Sequence, residues 1–235
     1  MIDLSVNRAR VVFSDRRGGV SSPPYDSLNL GILTDDDQAR VLENRLRLAT
    51  ATGRDPDSVA MGWQVHGDEI LEWAAPPQNG GFAHPGAELP KVDGHTTRSK
   101  DVPLLVLVAD CLPVALVGGG RVTMLHCGWR GLAAGIIERA LERFDEPPHA
   151  VLGPCIGPCC YEVGDEVLNE FSDLSGIANG RMLSLQLVAQ QKLLAKGVAK
   201  IDSFPLCTSC RPDLFFSHRR DGGVTGRQAG LVWLT

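Results

Sequence analysis

Two hydrophobic periods alternate along this chain, and together they predict a mixed fold. Val11–Ser14 reads as an early strand, followed by a turn over RRGGVSS at 16–22 and a loop at SLNLG, 27–31. From Asp35–Asp37 the period lengthens. Val41, Leu42, Leu46 and Ala49 recur at helical spacing, so a helix runs to about Ala51, and the acids at its start suit the helix dipole. Gly53–Asp57 breaks it, and Ser58–His66 reads as a strand leading into Gly67. Residues 74–90 hold seven Gly or Pro in seventeen positions, too long and irregular for a simple connector, and are expected to be a lid or locally disordered. Val102–Ala109 is a near-continuous apolar run with Pro103 and Pro113 beside it, which fits a strand buried on both faces. Val114–Val117 and Val122–His126 flank Gly118–Gly120 as a hairpin. Helices are expected over Leu132–Arg143, Tyr161–Phe171 and Leu185–Lys196, the last stopped by Gly197. Val151–Leu152, Ile201–Phe204, Leu214–His218 and Leu231–Leu234 read as short strands. Strands and helices mixed without regular alternation predict an α+β layered sandwich of mixed β-sheet and helices, a single domain over residues 1–235.

Composition narrows the function classes. The net charge is −5 and there is no lysine- or arginine-rich run, so nucleic acid is not an expected partner. The longest apolar stretch, Val102–Val117, is interrupted by Asp110, Cys111 and two prolines, and falls short of the ~20 residues of a membrane helix. MIDLSVNRARVVF lacks the apolar core and small-residue cleavage site of a signal peptide, so a cytoplasmic location is expected. In that compartment the seven cysteines are held as thiols, which favours ligand or catalytic roles over a disulfide framework.

Three expected strand ends carry reactive side chains: QVHG at 64–67, ADCLP at 109–113 and LHCGWRG at 125–131. His66, Cys111 and His126 would form a His₂Cys set, and three N/S ligands suit zinc with a fourth position left for water or substrate. The same residues also allow cysteine chemistry, with Cys111 as nucleophile, His126 or His66 as base and Asp110 as orienter, although Asp110 equally suits hydrogen bonds to a turn. CTSC at 207–210 has zinc-knuckle or redox spacing, but Cys155, Cys159 and Cys160 form no second CxxC, so these read as structural thiols. Arg17 in a Gly-rich turn and Arg130 at a helix start suit phosphate or carboxylate, whereas Arg219 and Arg220 read as surface ion pairs. No GxGxxG or GxxxxGK[ST] occurs, which argues against a dinucleotide or P-loop site.

RRGGVS, SLNLG, ENR, QVHG, ADCLPV, HCGWRG, GPCIGPCCYEVG and FFSHRRDGGVTGRQAGLVWL occur in this order from residue 16 to residue 234. In this the chain resembles the laccase-domain, or multicopper polyphenol oxidase-like, family, now regarded as purine nucleoside phosphorylases, some of whose members are called peptidoglycan-editing factors. The resemblance implies an α+β sandwich with one zinc held by His66, Cys111 and His126. It also implies phosphorolysis of adenosine, inosine and 5′-methylthioadenosine to free base and (methylthio)ribose 1-phosphate, with adenosine deamination as a side activity. The expected partners are thus a small-molecule nucleoside and phosphate, without nucleic acid or membrane. Arg17 and Arg130 are expected to bind the anion, with Gln64, Asn44 and Arg45 as second choices. VDGHTT at 92–97 is only a loose form of the family's DG turn, and Asp93 is given no role. Copper could enter a His₂Cys site, but no His-x-His occurs to build a trinuclear copper cluster. The alternative activity is that of a cysteine hydrolase or amidase acting on peptidoglycan fragments, and a third reading is a binding protein with a structural zinc.

Overall fold

Period-two burial builds two sheets that face each other. The structure, a computed structural model, describes residues 1–235. In chain order the elements are β1 (Ile2–Val6), β2 (Ala9–Phe13), α1 (Gln38–Thr52), β3 (Ile70–Trp73), β4 (Gly94–Thr97), β5 (Leu104–Val108), β6 (Leu112–Gly118), β7 (Arg121–Cys127), α2 (Trp129–Ala134), α3 (Ile136–Leu141), β8 (His149–Leu152), α4 (Asp165–Asn169), β9 (Ala178–Asn179), β10 (Met182–Leu183), α5 (Leu185–Ala195), β11 (Ile201–Ser203) and β12 (Gln228–Leu234). The smaller sheet runs β1-β2-β12-β5 and is antiparallel throughout. The larger runs β11-β8-β6-β7-β4-β3, with parallel pairs at its two edges and antiparallel pairs within. β9 and β10 form a separate hairpin.

Alternate residues of each strand enter different layers, as pleated geometry requires. Val11 and Phe13 of β2, Val106 of β5 and Val232 of β12 pack across the gap onto Ala115, Val117, Met124 and Val151 of the larger sheet. Their neighbours Val12, Leu105, Leu231 and Trp233 face outward, where Leu48 and Ala49 of α1 cover them. On the far side Val114, Leu116, Leu125 and Leu152 lie beneath α2, α3 and α5, which contribute Leu132, Ile136, Ile137, Val188 and Leu193. The result is the layered α+β sandwich expected, helix on sheet on sheet on helix. No helix is long and apolar enough to cross a membrane.

Local chemistry explains where pattern and structure part. The α1 helix starts where the Asp37 carboxylate accepts from Ala39 N–H at 2.8 Å and stops at Gly53, whose φ of 65° is left-handed. Ser58–His66 is not a strand. Pro56–Ser58 is a 3₁₀ turn, and the only ladder pairing of the segment beyond it is a bridge from Ala60 to Leu104. Side chains satisfy its backbone instead: Asp93 takes three of its N–H groups. The helix expected over Leu132–Arg143 begins earlier and breaks at Gly135 (φ 95°) into α2 and α3. Tyr161–Phe171 contracts to α4, because Val163 N–H bonds the Arg181 carbonyl beside the β9–β10 hairpin. Leu214–His218 is not a strand: the Leu214 and Phe215 amides close on the Arg211 carbonyl, and both polar backbone groups of Phe216 pair with the Gln228 side chain. The 74–90 loop is a chain of turns anchored by Phe82, which is fully buried against the α1 layer.

Candidate metal centre

One end of the larger sheet gathers the three candidate ligands. The β6–β7 register sets Leu112 opposite Cys127 and Pro113 opposite His126, so Cys111, just before β6, emerges beside His126. The β4–β7 register sets Gly94 opposite Leu125 and brings Asp93 to the same end. Asp93 then fastens the His66 segment, accepting from Val65, His66 and Gly67 N–H at 3.0, 2.9 and 2.8 Å. One donor atom each from His66, Cys111 and His126 lies within 4.8 Å of the others, and the two imidazoles meet edge to face at 4.8 Å between centroids.

Asp93 is the residue that the sequence reading missed. It is wholly buried, and besides the three amides its Oδ1 lies 2.7 Å from His126 Nδ1. An ionised carboxylate only accepts, so Nδ1 carries the proton and Nε2 is left for the centre. Burial opposes the charge on Asp93, but the His126 hydrogen bond and the Gly67 and Val65 amides outweigh it and hold its pKa below the usual carboxylate range. A carboxylate behind a ligand histidine is the common outer partner of protein metal sites.

The electrostatics favour thiolate and imidazolium. Burial alone would push the Cys111 thiol up, yet the charge and hydrogen bonds of His126, seconded by His66, bring it down to about 6. Burial likewise opposes charge on His126, and the Cys111 thiolate and Asp93 outweigh it, raising the imidazole to about 9. A thiolate with two imidazoles is the donor set that zinc or copper takes, the His126 Nε2 proton being released as the cation binds. The chain bends sharply to present it: His66 has φ 61° and Asp110 has φ 91°, left-handed backbone that non-glycine residues rarely adopt. Gly128 closes around it too, since a Cβ there would lie 3.0 Å from His66 Cδ2 and 3.2 Å from Cys111 Sγ. His66 is exposed and Cys111 half-buried, so the centre opens to solvent on their side.

Asp110 does not orient the imidazoles. Its carboxylate accepts from Thr208 Oγ1 at 2.6 Å and Arg219 N–H at 2.7 Å, and its carbonyl accepts from Ile156 N–H at 2.9 Å, which is the turn-bracing role. The second-choice anion binders are committed elsewhere. Gln64 pairs with both polar backbone groups of Leu107, at 2.7 and 2.8 Å. Asn44 is fully buried, accepting from Val20 N–H and donating to Ser21 Oγ and the Asn29 carbonyl. Arg45 is corrected in the same way: no part of it reaches solvent, and it donates to the carbonyls of Leu30, Gly81 and Phe82. Desolvation lowers the Arg45 pKa to about 10. Arg17 is exposed but forked onto Asp15, at 2.7 and 3.2 Å. Arg130 differs from these. It is exposed in the first turn of α2, two residues beyond Gly128, stacked on Trp129 with its guanidinium carbon 4.3 Å from the ring centroid and without a hydrogen-bonded or ionic protein partner. Arg220 is an ion pair with Asp221, as read, whereas Arg219 donates to the Glu162 carbonyl.

Comparison with known proteins adds a family. A sequence profile described as "Multi-copper polyphenol oxidoreductase laccase" matches residues 10–235. "Purine nucleoside phosphorylase YfiH" of Escherichia coli (strain K12) is 37% identical over 234 residues, 94% of this chain and 92% of that protein. "Purine nucleoside phosphorylase YlmD" of Geobacillus stearothermophilus is 34% identical over 238 residues, 92% of this chain and 87% of that one. The crystal structure of Bacillus licheniformis hypothetical protein YfiH superposes with a TM-score of 0.91 at 32% identity, covering 97% of this chain and 94% of that chain.

Proposed function

Because this chain belongs to the family described as multi-copper polyphenol oxidoreductase laccase, whose similar members carry the name purine nucleoside phosphorylase, we propose that it is itself a metal-dependent purine nucleoside phosphorylase. The observation that carries the reading is the convergence of His66, Cys111 and His126 on one solvent-open centre with Asp93 behind it. The substrates are adenosine, inosine and 5′-methylthioadenosine, split by phosphate into free base and ribose 1-phosphate or its methylthio form, with adenosine deamination secondary. The location is the cytoplasm.

The donor set fits zinc. A tetrahedral site with ligand bonds of about 2.0–2.3 Å has edges of roughly 3.3–3.8 Å, within the mutual spacing of these three atoms. Copper suits the same donors. Bound zinc supplies Lewis acidity toward whatever occupies the open position. The residues do the rest. Asp93 fixes the His126 proton at Nδ1 and holds the His66 backbone, so both imidazoles are oriented before substrate arrives. In phosphorolysis a phosphate oxygen bonds the sugar C1′ as the bond to the base breaks and positive charge builds on the ribose. Arg130, with no protein acceptor to satisfy, holds the phosphate, and Arg17 assists. The polyphenol oxidase name has less support, since neither His66 nor His126 belongs to the His-x-His pair that a trinuclear copper cluster requires.

Metal analysis coupled to phosphate-dependent base release from adenosine and inosine tests this. Cys111→Ala and His126→Ala should each lose zinc and phosphorolysis together, and turnover persisting in a metal-free variant would reject the metal role. The Cys111–His126 charge pair favours a second reading, a cysteine hydrolase acting on peptidoglycan fragments. Covalent trapping of Cys111 by such a fragment, with no nucleoside turnover, would make that reading the right one.

A further inference from the structure

The seven cysteines separate by place. Cys111 belongs to the centre above, and Cys127 and Cys155 are buried among apolar side chains. Cys159, Cys160, Cys207 and Cys210 bring their sulfur atoms within 4.8 Å of one another. CTSC has the spacing of a zinc knuckle, and the sequence offers no second CxxC to complete it. The fold completes it with adjacent residues instead. Cys160 and Tyr161 N–H both close on the Gly157 carbonyl at 3.0 Å, and this turn aims two neighbouring thiols at Cys210, whose Sγ lies 3.4 Å from each. The two loops are tied by Thr208 N–H on the Cys155 carbonyl at 3.0 Å.

The surroundings suit thiolates around a cation. The shorter sulfur separations and the 4.8 Å limit bracket the roughly 3.8 Å edge of a tetrahedron with metal–sulfur bonds of about 2.3 Å. Gly157 N–H donates to Cys207 Sγ at 3.2 Å. A Cβ at Gly157 would lie 3.2 Å from Cys207 Cβ and 3.3 Å from Cys159 Sγ, so a side chain would crowd the cluster. Arg220 donates to the Thr208 carbonyl at 2.9 Å and reaches the Ser209 carbonyl at 3.4 Å, setting positive charge on the knuckle between Cys207 and Cys210. Four thiolates with one dication would carry two net negative charges, which this guanidinium, shared with the Asp221 carboxylate, meets only in part.

We propose that Cys159, Cys160, Cys207 and Cys210 form a second, all-thiolate zinc site that clips the loop after β8 to the segment after β11. Four protein ligands leave no position for substrate, so its role is structural. It braces the neighbouring turn: Thr208, inside the knuckle, donates to the Asp110 carboxylate, and Ile156, beside Cys155, donates to the Asp110 carbonyl. Asp110 immediately precedes Cys111, so the clip steadies the strained turn that presents a ligand of the first centre. The proposal stands independently of the phosphorylase reading.

The test is metal stoichiometry on anaerobically purified protein. The wild type should hold two zinc ions per chain. X-ray absorption at the zinc edge should average about two and a half sulfurs per metal, one site being His₂Cys and the other sulfur-only. Cys159 and Cys210 are exposed, so Cys159→Ser/Cys210→Ser spares the core, and it should keep one zinc and melt at a lower temperature. Cys111→Ser should lose the other zinc instead. A single zinc that Cys111→Ser removes, iron in the cluster, or a Cys207–Cys210 disulfide in the anaerobic protein would each overturn the proposal. If the double variant fails to fold, the wild-type sulfur average decides, and about one sulfur per zinc is the overturning value.

Discussion

Asp93 shows how much one buried carboxylate can organise. It binds three amides of the His66 segment and the far side of the His126 ring, so Asp93→Asn turns an amide nitrogen toward donors it cannot accept from. Metal affinity should fall about 10–100-fold, as for other outer-sphere partners, with stability reduced by ~1–3 kcal/mol per buried group left unpaired. Chelator competition and urea titration read the two effects separately, and unchanged affinity would show that His126 is oriented by something else. For Arg130→Ala the phosphate KM should rise far more than the nucleoside KM, whereas equal rises would place the residue at the nucleoside or in the scaffold. The three candidate ligands were legible because each closes a distinct motif. Asp93 was not, because its partners His66 and His126 are 27 and 33 residues away and only strand register unites them. Gln64, Asn44 and Arg45 misled for a related reason: polarity in a motif marks a hydrogen bond without saying whether substrate or backbone receives it.

At the level of elements, polar side chains replace backbone ladders in several places. Ser58–His66 has the apolar pattern of a strand, but Asp93 and Gln64 take the bonds that a neighbouring strand would make, and period alone does not reveal that substitution. Arg45 does the same for the glycine- and proline-rich loop, joining α1 to the Gly81 and Phe82 carbonyls beneath Phe82 itself. Composition therefore overstated the looseness of 74–90. Replacing Arg45 with methionine keeps the bulk and removes every donor, leaving three buried carbonyls unpaired, so a loss of ~3 kcal/mol or more is expected. Hydrogen exchange should accelerate at Ala83 and His84, whose amides bond within this loop, and unchanged protection there would mean that Phe82 alone anchors it.

Across the whole molecule the layered sandwich was legible from alternating strands and amphipathic helices, while the order of strands within each sheet was not, since pairing is set by contacts remote in sequence. The larger sheet buries a histidine that couples folding to pH. His95 in β4 is fully buried, accepts from Trp73 Nε1–H at Nδ1 (3.2 Å), and has its pKa lowered by desolvation to about 4. The unfolded chain takes up this proton near pH 6.5 and the folded one only near 4, so the unfolded state binds more protons between those values. Stability is therefore fully present above about 6.5 and falls as the solution is acidified toward 4, by ~3 kcal/mol at most from this group. Urea midpoints at pH 7 and pH 5 should drop more in the wild type than in His95→Phe, and equal drops would assign the acid sensitivity elsewhere.

The smaller sheet carries a consequence for the history of the molecule. Its β2 and β5 never touch as ladder partners, because β12, the last strand in order, lies between them. As the polypeptide emerges from the ribosome, both flanks wait with bare amides and carbonyls through more than a hundred intervening residues, a long-range closure that slows maturation. A nascent chain stalled before Gln228 would expose two adhesive edges, making it a target for chaperones or a seed for aggregates.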